Sequence, residues 1–488
     1  MTYATLDAPV ARRNPGAIWA GLLATGALAI GYQIASGGSA IRVVVAVVVM
    51  GVLAIPSVQH PRAAVTWLFA LLPFMGMIRH LFLGVSGRAF LDPLLLITSA
   101  VAIIIFVSMT VNGQMDFEGT TLSKLVFLLL VVGLIQVFNP EQRSLLTGVT
   151  GIMINLVPLS FFFIGRTIGD ADYTHRLTRM VMVIGGLGAL YGLKQVFMGF
   201  FGFEREFIAN AYGALRVADT TRPFSFFNNA SEWASYAHIA FVVAFASMLF
   251  KPKSKRSLLL LLTAVIAYSG FLIGSRGFTI KVLLAIVVLV AARARSRFLA
   301  MGLAGMMIGL AVLWSATTTT TGNINEKEAG ASQLIEQQVR ALSDPFDRTK
   351  STLPIHFEQA TEAVGYVITH KPAGVGTGAS TLAGSKFGGL QASTELDIGD
   401  FFLSLGVPGG LLYVAIVIVA ITTASRVRRA LPGPAWVGIW AMLLTSVGAW
   451  LLGGNYAIGP LLWFLIGAVD AAYKRLRDRG LLRATLNA

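Results

Sequence analysis

Residues 231–250 read SEWASYAHIAFVVAFASMLF, residues 251–256 read KPKSKR, and residues 257–297 read SLLLLLTAVIAYSGFLIGSRGFTIKVLLAIVVLVAARARSR. This stretch decides the fold. It holds three apolar runs, each close to the ~20 residues that carry a helix across a bilayer. A block of cations, Lys251, Lys253, Lys255 and Arg256, follows the first run. The second junction holds the single cation Arg276, and the third run closes on Arg293, Arg295 and Arg297. Basic clusters after every second apolar run are the mark of a chain that crosses a membrane back and forth.

The whole chain agrees. Its 488 residues carry 38 Lys and Arg against 23 Asp and Glu, a net charge of +15, yet only 12% are charged. That is about half the charged share of a soluble domain. Hydrophobic residues make up 55%, and the mean hydropathy is +0.73. Such a composition excludes a soluble enzyme, a disordered chain and a string of small secreted domains. It also argues against an outer-membrane barrel, whose strands alternate apolar and polar residues. The pI of 10.2 suggests nucleic-acid binding only until the cations are located between apolar runs. With no cysteine, neither a disulfide framework nor a thiolate metal site can form.

The expected fold class is therefore an all-α polytopic membrane protein, a single membrane domain over residues 1–488. Fourteen runs are counted, twelve to fourteen being compatible with the short separators in residues 17–166. They fall near 17–36, 40–58, 63–83, 90–110, 122–139, 144–166, 179–200, 231–250, 257–274, 278–292, 298–315, 399–423, 435–452 and 456–473. The run after Arg12 and Arg13 is read as a retained span. Arg166/Arg176/Arg179, the 251–256 block, Arg293/Arg295/Arg297, Arg426/Arg428/Arg429 and Lys474/Arg475/Arg477/Arg479 follow runs six, eight, ten, twelve and fourteen. All five clusters then share the cytoplasmic side, with both termini. Arg79 and Arg88 fall outside in this count.

Two long polar loops lie on the opposite side, residues 201–230 and 316–399. Long connections of this kind are more often functional than idle. In the second, Ser332–Leu342 and Leu353–His370 carry apolar residues at helical spacing, predicting helices on the membrane surface. Gly374, Gly376 and Gly378 predict a flexible turn after them.

Charge near membrane depth is the first place to look for chemistry. Arg276, in Gly274-Ser275-Arg276-Gly277, sits at an outer junction; it either snorkels to lipid phosphate or lines an anion site. Arg222 opens Arg222-Pro223-Phe224-Ser225-Phe226-Phe227-Asn228-Asn229, which reads as a fixed turn entering a helix N-terminus, and is either solvated or anion-binding. Lys281 lies about one helical turn below Arg276. Glu395, Asp397 and Asp400 precede run twelve, as a general base or as acids matching the helix dipole. Lys194 is expected to snorkel or pair internally. Asp170-Ala171-Asp172, Gly374-Val375-Gly376-Thr377-Gly378 and Asn229-Ala230-Ser231 are discounted as metal–nucleotide, phosphate and glycosylation motifs. No His pair has metal-ligand spacing on a helix, so no metal site and no cofactor are expected.

Taken in order, Arg222–Ala234, the Gly274–Gly277 segment, His370–Gly378 and Glu395 followed by Leu405-Gly406-Val407-Pro408-Gly409-Gly410-Leu411 resemble the O-antigen ligase/Wzy-type polysaccharide polymerase superfamily. The likeness covers roughly residues 210–425. It implies a GT-C-like membrane glycosyltransferase in the bacterial inner (cytoplasmic) membrane, with the two long loops periplasmic. The implied donor is an oligosaccharide on undecaprenyl pyrophosphate, and Arg222 and Arg276 match family arginines thought to hold the pyrophosphate. Ligases of this superfamily place a His-Asn pair about eleven residues before the last motif's glycine. Here that count back from Gly406 lands on Glu395-Leu396. The implied activity is thus joining lipid-linked repeat units into a surface polysaccharide, an exopolysaccharide or O-antigen, by inversion and without metal. A ligase that transfers the glycan to lipid A core is the alternative, and a flippase for the same lipid-linked glycan is the rival from another class.

The expected roles follow. Arg222, Arg276 and Lys281 bind pyrophosphate, Glu395 and then Asp397 act as base, and Arg340, Arg348 and His356 are lower-ranked contacts to glycan or phosphate. Expected partners are the lipid-linked oligosaccharide, membrane lipids, a chain-length regulator and a flippase, and no nucleic acid.

Overall fold

The structure, a computed structural model, describes residues 49–53, 56–83, 97–210, 216–217, 220–250, 256–294, 334–335, 353–381, 384, 387–389, 392–394, 396–450 and 456–481. Among these the fold is helical apart from a two-residue antiparallel ladder that pairs Arg216 with Thr221 and Val217 with Thr220. The helices are α1 (Pro61–Leu81), α2 (Ile97–Val111), α3 (Thr121–Phe138), α4 (Leu145–Ile168), α5 (Ala171–Met198), α6 (Gly202–Asn210) and α7 (Ala230–Phe250). There follow α8 (Arg256–Phe271), α9 (Arg276–Ala294), α10 (Leu353–His370), α11 (Asp397–Ala430), α12 (Pro434–Thr445) and α13 (Gly459–Asp478).

Six of them, α1, α3, α4, α5, α7 and α11, are long and apolar enough to cross a membrane. α2, α8 and α12 are shorter apolar helices; α12 stops at Thr445, short of the expected 435–452 run. The expected runs at 17–36 and 298–315, and the helix expected over Ser332–Leu342 apart from residues 334–335, lie outside the described residues.

The tightest packing is between α4 and α13. A Cβ on Gly467 would run into the Phe162 carbonyl oxygen, and one on Gly165 into that of Phe464. Small residues let two backbones approach where dispersion, not the hydrophobic effect, drives association. Gly467→Ala is therefore expected to force the pair apart and cost ~1–3 kcal/mol of overpacking. Gly365 on the exposed face of α10 has nothing near its Cβ position. There Gly→Ala should stabilise by roughly 0.5–1 kcal/mol. Opposite shifts in the unfolding temperature of the two detergent-solubilised variants check both.

Beside this crossing sits an ion cluster with a buried Arg166–Asp470 core. Arg166 Nε lies 3.3 Å from Asp470 Oδ2, which also accepts from Thr120 Oγ1 at 2.7 Å. Lys474 Nζ reaches Asp116 at 3.1 Å and Glu118 at 2.5 Å. The Arg166 side chain is fully inaccessible. The sequence groups it with Arg176 and Arg179 as a cytoplasmic loop cation; it is neutralised inside the protein, because a guanidinium withdrawn from water needs a carboxylate.

α11 is broken in its first third. Gly406 adopts φ 71°, ψ −169°, and Pro408 follows. The break frees the Leu403 and Ser404 carbonyls, which accept from Val375 N (2.8 Å) and Gly376 N (3.0 Å), while Val407 N donates to Pro372 O (2.9 Å). Gln136 Nε2 and Asn139 Nδ2 donate to Ala373 O and Gly374 O, and Thr377 Oγ1 donates to Gly133 O at 2.6 Å. Gly374 and Gly376 both need positive φ, and a Cβ on Gly378 would strike the Thr147 carbonyl. The expected flexible turn is thus a fixed plug between α3, α4 and α11, with its backbone groups paired as the lack of water demands. α10 spans the expected residues, but its Ala363 and Val367 pack on Phe402 and Leu403 of α11 rather than on lipid.

Candidate functional site

The polar loop before α7 folds back on itself through the two-residue ladder and leaves Arg222 at its exit. Asn229 Oδ1 accepts from Glu232 N (2.8 Å) and starts α7. Buried Glu232 in turn accepts from Asn228 N (3.1 Å), Asn228 Nδ2 (2.7 Å) and Ala457 N (2.9 Å). Arg79, the cation on the wrong side in the charge count, donates to Asn228 Oδ1 at 2.5 Å. The turn is therefore fixed at both ends: Asn229 caps the α7 backbone, and Asn228 joins the side chains of Arg79 and Glu232.

Arg222 Nε donates to Ile273 O (2.9 Å), just beyond the end of α8. Gly274 then turns the chain with φ 73°, and Arg276 begins α9. Residues far apart in sequence thereby bring two guanidinium groups into electrostatic contact. Burial pushes the Arg222 guanidinium below its ordinary value, and the charge of Arg276 adds to this. An arginine does not shed its proton in a protein, so the shift measures an electrostatic cost. Arg276 bears a second cost, since a cation at a helix N-terminus opposes the macrodipole. Arg222 forms no ion pair among the described residues. An anion held by both groups would relieve these costs.

Lys281, deeper on α9, makes no hydrogen bond or ion pair among the described residues; it lies within electrostatic reach of Asp397 and His238. It shares α9 with Arg276, as the sequence placed it. Asp397, its electrostatic neighbour, belongs to a second feature, a polar pocket of about 20 Å³ lined by Asn155, Thr377, Ser380, Asp397, Asp400 and Ser404 over Leu156, Phe401 and Leu405. That volume is large enough for one water molecule. Asn155 reaches it from a π-helical turn, Ile152–Leu156, inside α4. Its Nδ2 donates to Thr377 O (3.0 Å) and Ser380 Oγ (3.3 Å), and Ser404 Oγ donates to Ser380 Oγ (2.9 Å).

The two described carboxylates differ. Asp397 is buried, and its Oδ2 accepts from Tyr413 OH at 2.6 Å and from the Trp450 backbone N–H. Expected as the second-choice base, Asp397 ties the start of α11 to Tyr413 further along the same helix and to the segment after α12. Asp400 Oδ1 accepts from Thr394 N (2.7 Å) and Thr394 Oγ1 (3.2 Å), whereas Oδ2 accepts only from exposed Ser393 Oγ (3.0 Å) among the described residues. Glu395, Arg340 and Arg348 lie outside the described residues; His356 is half-buried in the first turn of α10.

Sequence reasoning named Asp400 among three carboxylates without choosing it, and missed Asn155. Asp400 was visible as the i+3 neighbour of Asp397, on the same helix face. Asn155 stood out only as an amide in an apolar run. The discounted motifs have structural jobs. Asp170 Oδ1 caps α5 at Tyr173 N (2.8 Å) and Asp170 pairs with Arg62 (2.7 Å), and the N–H groups of Gly374–Thr377 are already bonded to carbonyls. Lys194 pairs internally with Glu204 at 3.6 Å. Among the described residues no three His, Asp or Glu side chains converge as a metal site would need. No protein-family model matches the chain, and no curated protein matches it.

Proposed function

We propose that the protein is a membrane-embedded glycosyltransferase that polymerises oligosaccharide repeat units carried on polyprenyl pyrophosphate. The observation that supports this reading best is the arginine pair. Arg222 and Arg276 lie within electrostatic reach of each other, Arg222 without an ion pair among the described residues, and Lys281, on the same helix as Arg276, lies within electrostatic reach of Asp397 in a carboxylate-lined pocket. A diphosphate satisfies the first feature. A hydroxyl that must lose a proton uses the second.

The reaction follows from these parts. A carboxylate at the start of α11 takes the proton of an acceptor sugar hydroxyl. The oxygen attacks the donor's anomeric carbon opposite the pyrophosphate, and the carbon–oxygen bond to pyrophosphate breaks. Its electron pair stays on the departing polyprenyl pyrophosphate, and the anomeric centre inverts. Preorganised guanidiniums in a site poor in water supply the leaving-group stabilisation that a metal supplies elsewhere. The base is drawn from Glu395 and Asp400.

In this reading the chain crosses the bacterial inner membrane about fourteen times in a GT-C-like arrangement, with both termini cytoplasmic and the site periplasmic. The missing histidine at the Glu395 position supports polymerase over ligase. A strain lacking the protein is expected to accumulate single lipid-linked repeat units exposed to the periplasm. Free polymer of normal length in that strain would make the protein a ligase. Repeat units trapped on the cytoplasmic leaflet would make it a flippase.

A further inference from the structure

The turn that carries Arg222 is held from behind by a buried amide on α5. Gln195, buried on α5, accepts at Oε1 from Phe224 N (3.1 Å) and Ser225 N (2.7 Å). Its Nε2 donates to Ser225 O (2.9 Å) and to Glu204 Oε1 (2.6 Å). Four bonds exhaust what a primary amide can make. The turn needs such a hold. Ser225 has φ 55°, a left-handed conformation that a non-glycine residue keeps only when its surroundings over-determine it, and its Oγ is tied to Gly188 O at 2.8 Å.

Glu204, at the start of α6, sets which way the amide points. Its carboxylate is itself fixed by Tyr191 OH (3.0 Å) and Phe201 N (2.6 Å), with Lys194 Nζ at 3.6 Å and 3.2 Å above the Phe201 ring. A carboxylate accepts only, so the NH2 end of Gln195 must face it and the carbonyl end must face the two turn N–H groups.

We propose that Gln195, oriented by Glu204, is a positioning residue for the pyrophosphate clamp. It locks the Phe224–Ser225 turn and so keeps Arg222 on the Ile273 carbonyl, in reach of Arg276. The proposal rests on the reading of Arg222 as a pyrophosphate-binding residue. It makes a claim about polarity that side-chain packing alone does not make.

The test is a polarity cycle on the full-length protein in detergent, with undecaprenyl pyrophosphate as the binding probe and lipid-linked repeat unit as the kinetic donor. Gln195→Met keeps the shape and loses the four hydrogen bonds. It is expected to weaken probe binding ~10- to 100-fold, the scale of buried donors left unpaired. KM for the donor should rise while kcat at saturation changes by less than about threefold, the signature of lost uniform binding. Gln195→Glu sets two carboxylates against each other and should bind more weakly still. Adding Glu204→Gln to it restores a donor facing an acceptor and should recover at least ~10-fold. Wild-type-like binding by Gln195→Met overturns the proposal. So does a double variant no better than Gln195→Glu, or a loss confined to kcat. If Gln195→Glu does not fold, Gln195→Met against wild type decides. Arg222→Ala run alongside separates the two levels: unchanged probe binding there sinks the clamp reading itself, whereas weak binding there with normal binding by Gln195→Met sinks only this inference.

Discussion

Arg222→Ala and Arg276→Ala are each expected to abolish polymer formation in cells while the protein still accumulates in the membrane. In the proposed reaction both guanidiniums stabilise the charge that develops on the leaving group, and one lost donor of that kind typically costs ~10²–10³ in rate. Lysine at either position should rescue only in part, because a point charge cannot reproduce a planar fork on a phosphate. The structure adds a difference between the two. Arg222 also donates Nε to Ile273 O, so Arg222→Lys loses an anchor as well as a fork. Arg222→Ala relieves a like-charge repulsion but gives up the hydrogen bond to Ile273 O, so its unfolding temperature should stay near that of the wild type. Polymer yield and thermal unfolding of the same preparations check both statements. Near-normal polymer from both alanine variants would remove the pair from the mechanism.

Removing the proton acceptor should act on turnover instead. Loss of general-base catalysis costs ~10²–10⁴, with binding of the lipid pyrophosphate unchanged because the arginines are intact. Position in the sequence points to Glu395 and geometry points to Asp400, which lines the pocket with a lightly engaged Oδ2. Asp400→Asn is expected to show the loss. A larger loss in Glu395→Gln would move the base there. Asp397→Asn should behave differently, because it weakens the acceptor for Tyr413 OH and the Trp450 N–H. Its effect belongs in stability, ~1–3 kcal/mol for a compromised buried hydrogen-bonding group, read as a lower unfolding temperature rather than a selective fall in kcat. A kcat loss of ~10² or more in Asp397→Asn alone, with stability kept, would show that the wrong carboxylate has been assigned.

How far the sequence could be read depended on the kind of information each feature carries. Apolar run length is local, so α3, α4, α5, α7 and α11 appear where the runs fall. The fixed turn before α7 is local too, written in Pro223, Asn228 and Asn229. Arg222 and Arg276 stood out because cations at an outer boundary violate a simple expectation. Charge counting, however, sees no partners. Arg166 read as one of a cluster of loop cations because Asp470, its counter-ion, lies at the far end of the chain and meets it only when α4 crosses α13. The plug at 371–381 read as flexible for the same reason. Its glycines mark close approach to α4 and α11, and nothing in a glycine says which neighbour it approaches. The π-helical turn that delivers Asn155 has no sequence signature, and Asp400 was set aside for want of any way to tell three adjacent carboxylates apart without their hydrogen bonds.

The central claim is that one chain both binds the lipid pyrophosphate and extends the glycan. It is tested most directly by purified protein in proteoliposomes supplied with defined undecaprenyl-pyrophosphate-linked repeat units and nothing else. The products are resolved by size, with Arg222→Ala and Arg276→Ala in parallel. The account predicts a ladder of lipid-linked oligomers from the wild type, with release of undecaprenyl pyrophosphate in step with each linkage, and no ladder from either variant. Repeat units that stay single while moving between leaflets, or a ladder that persists in both arginine variants, would contradict it.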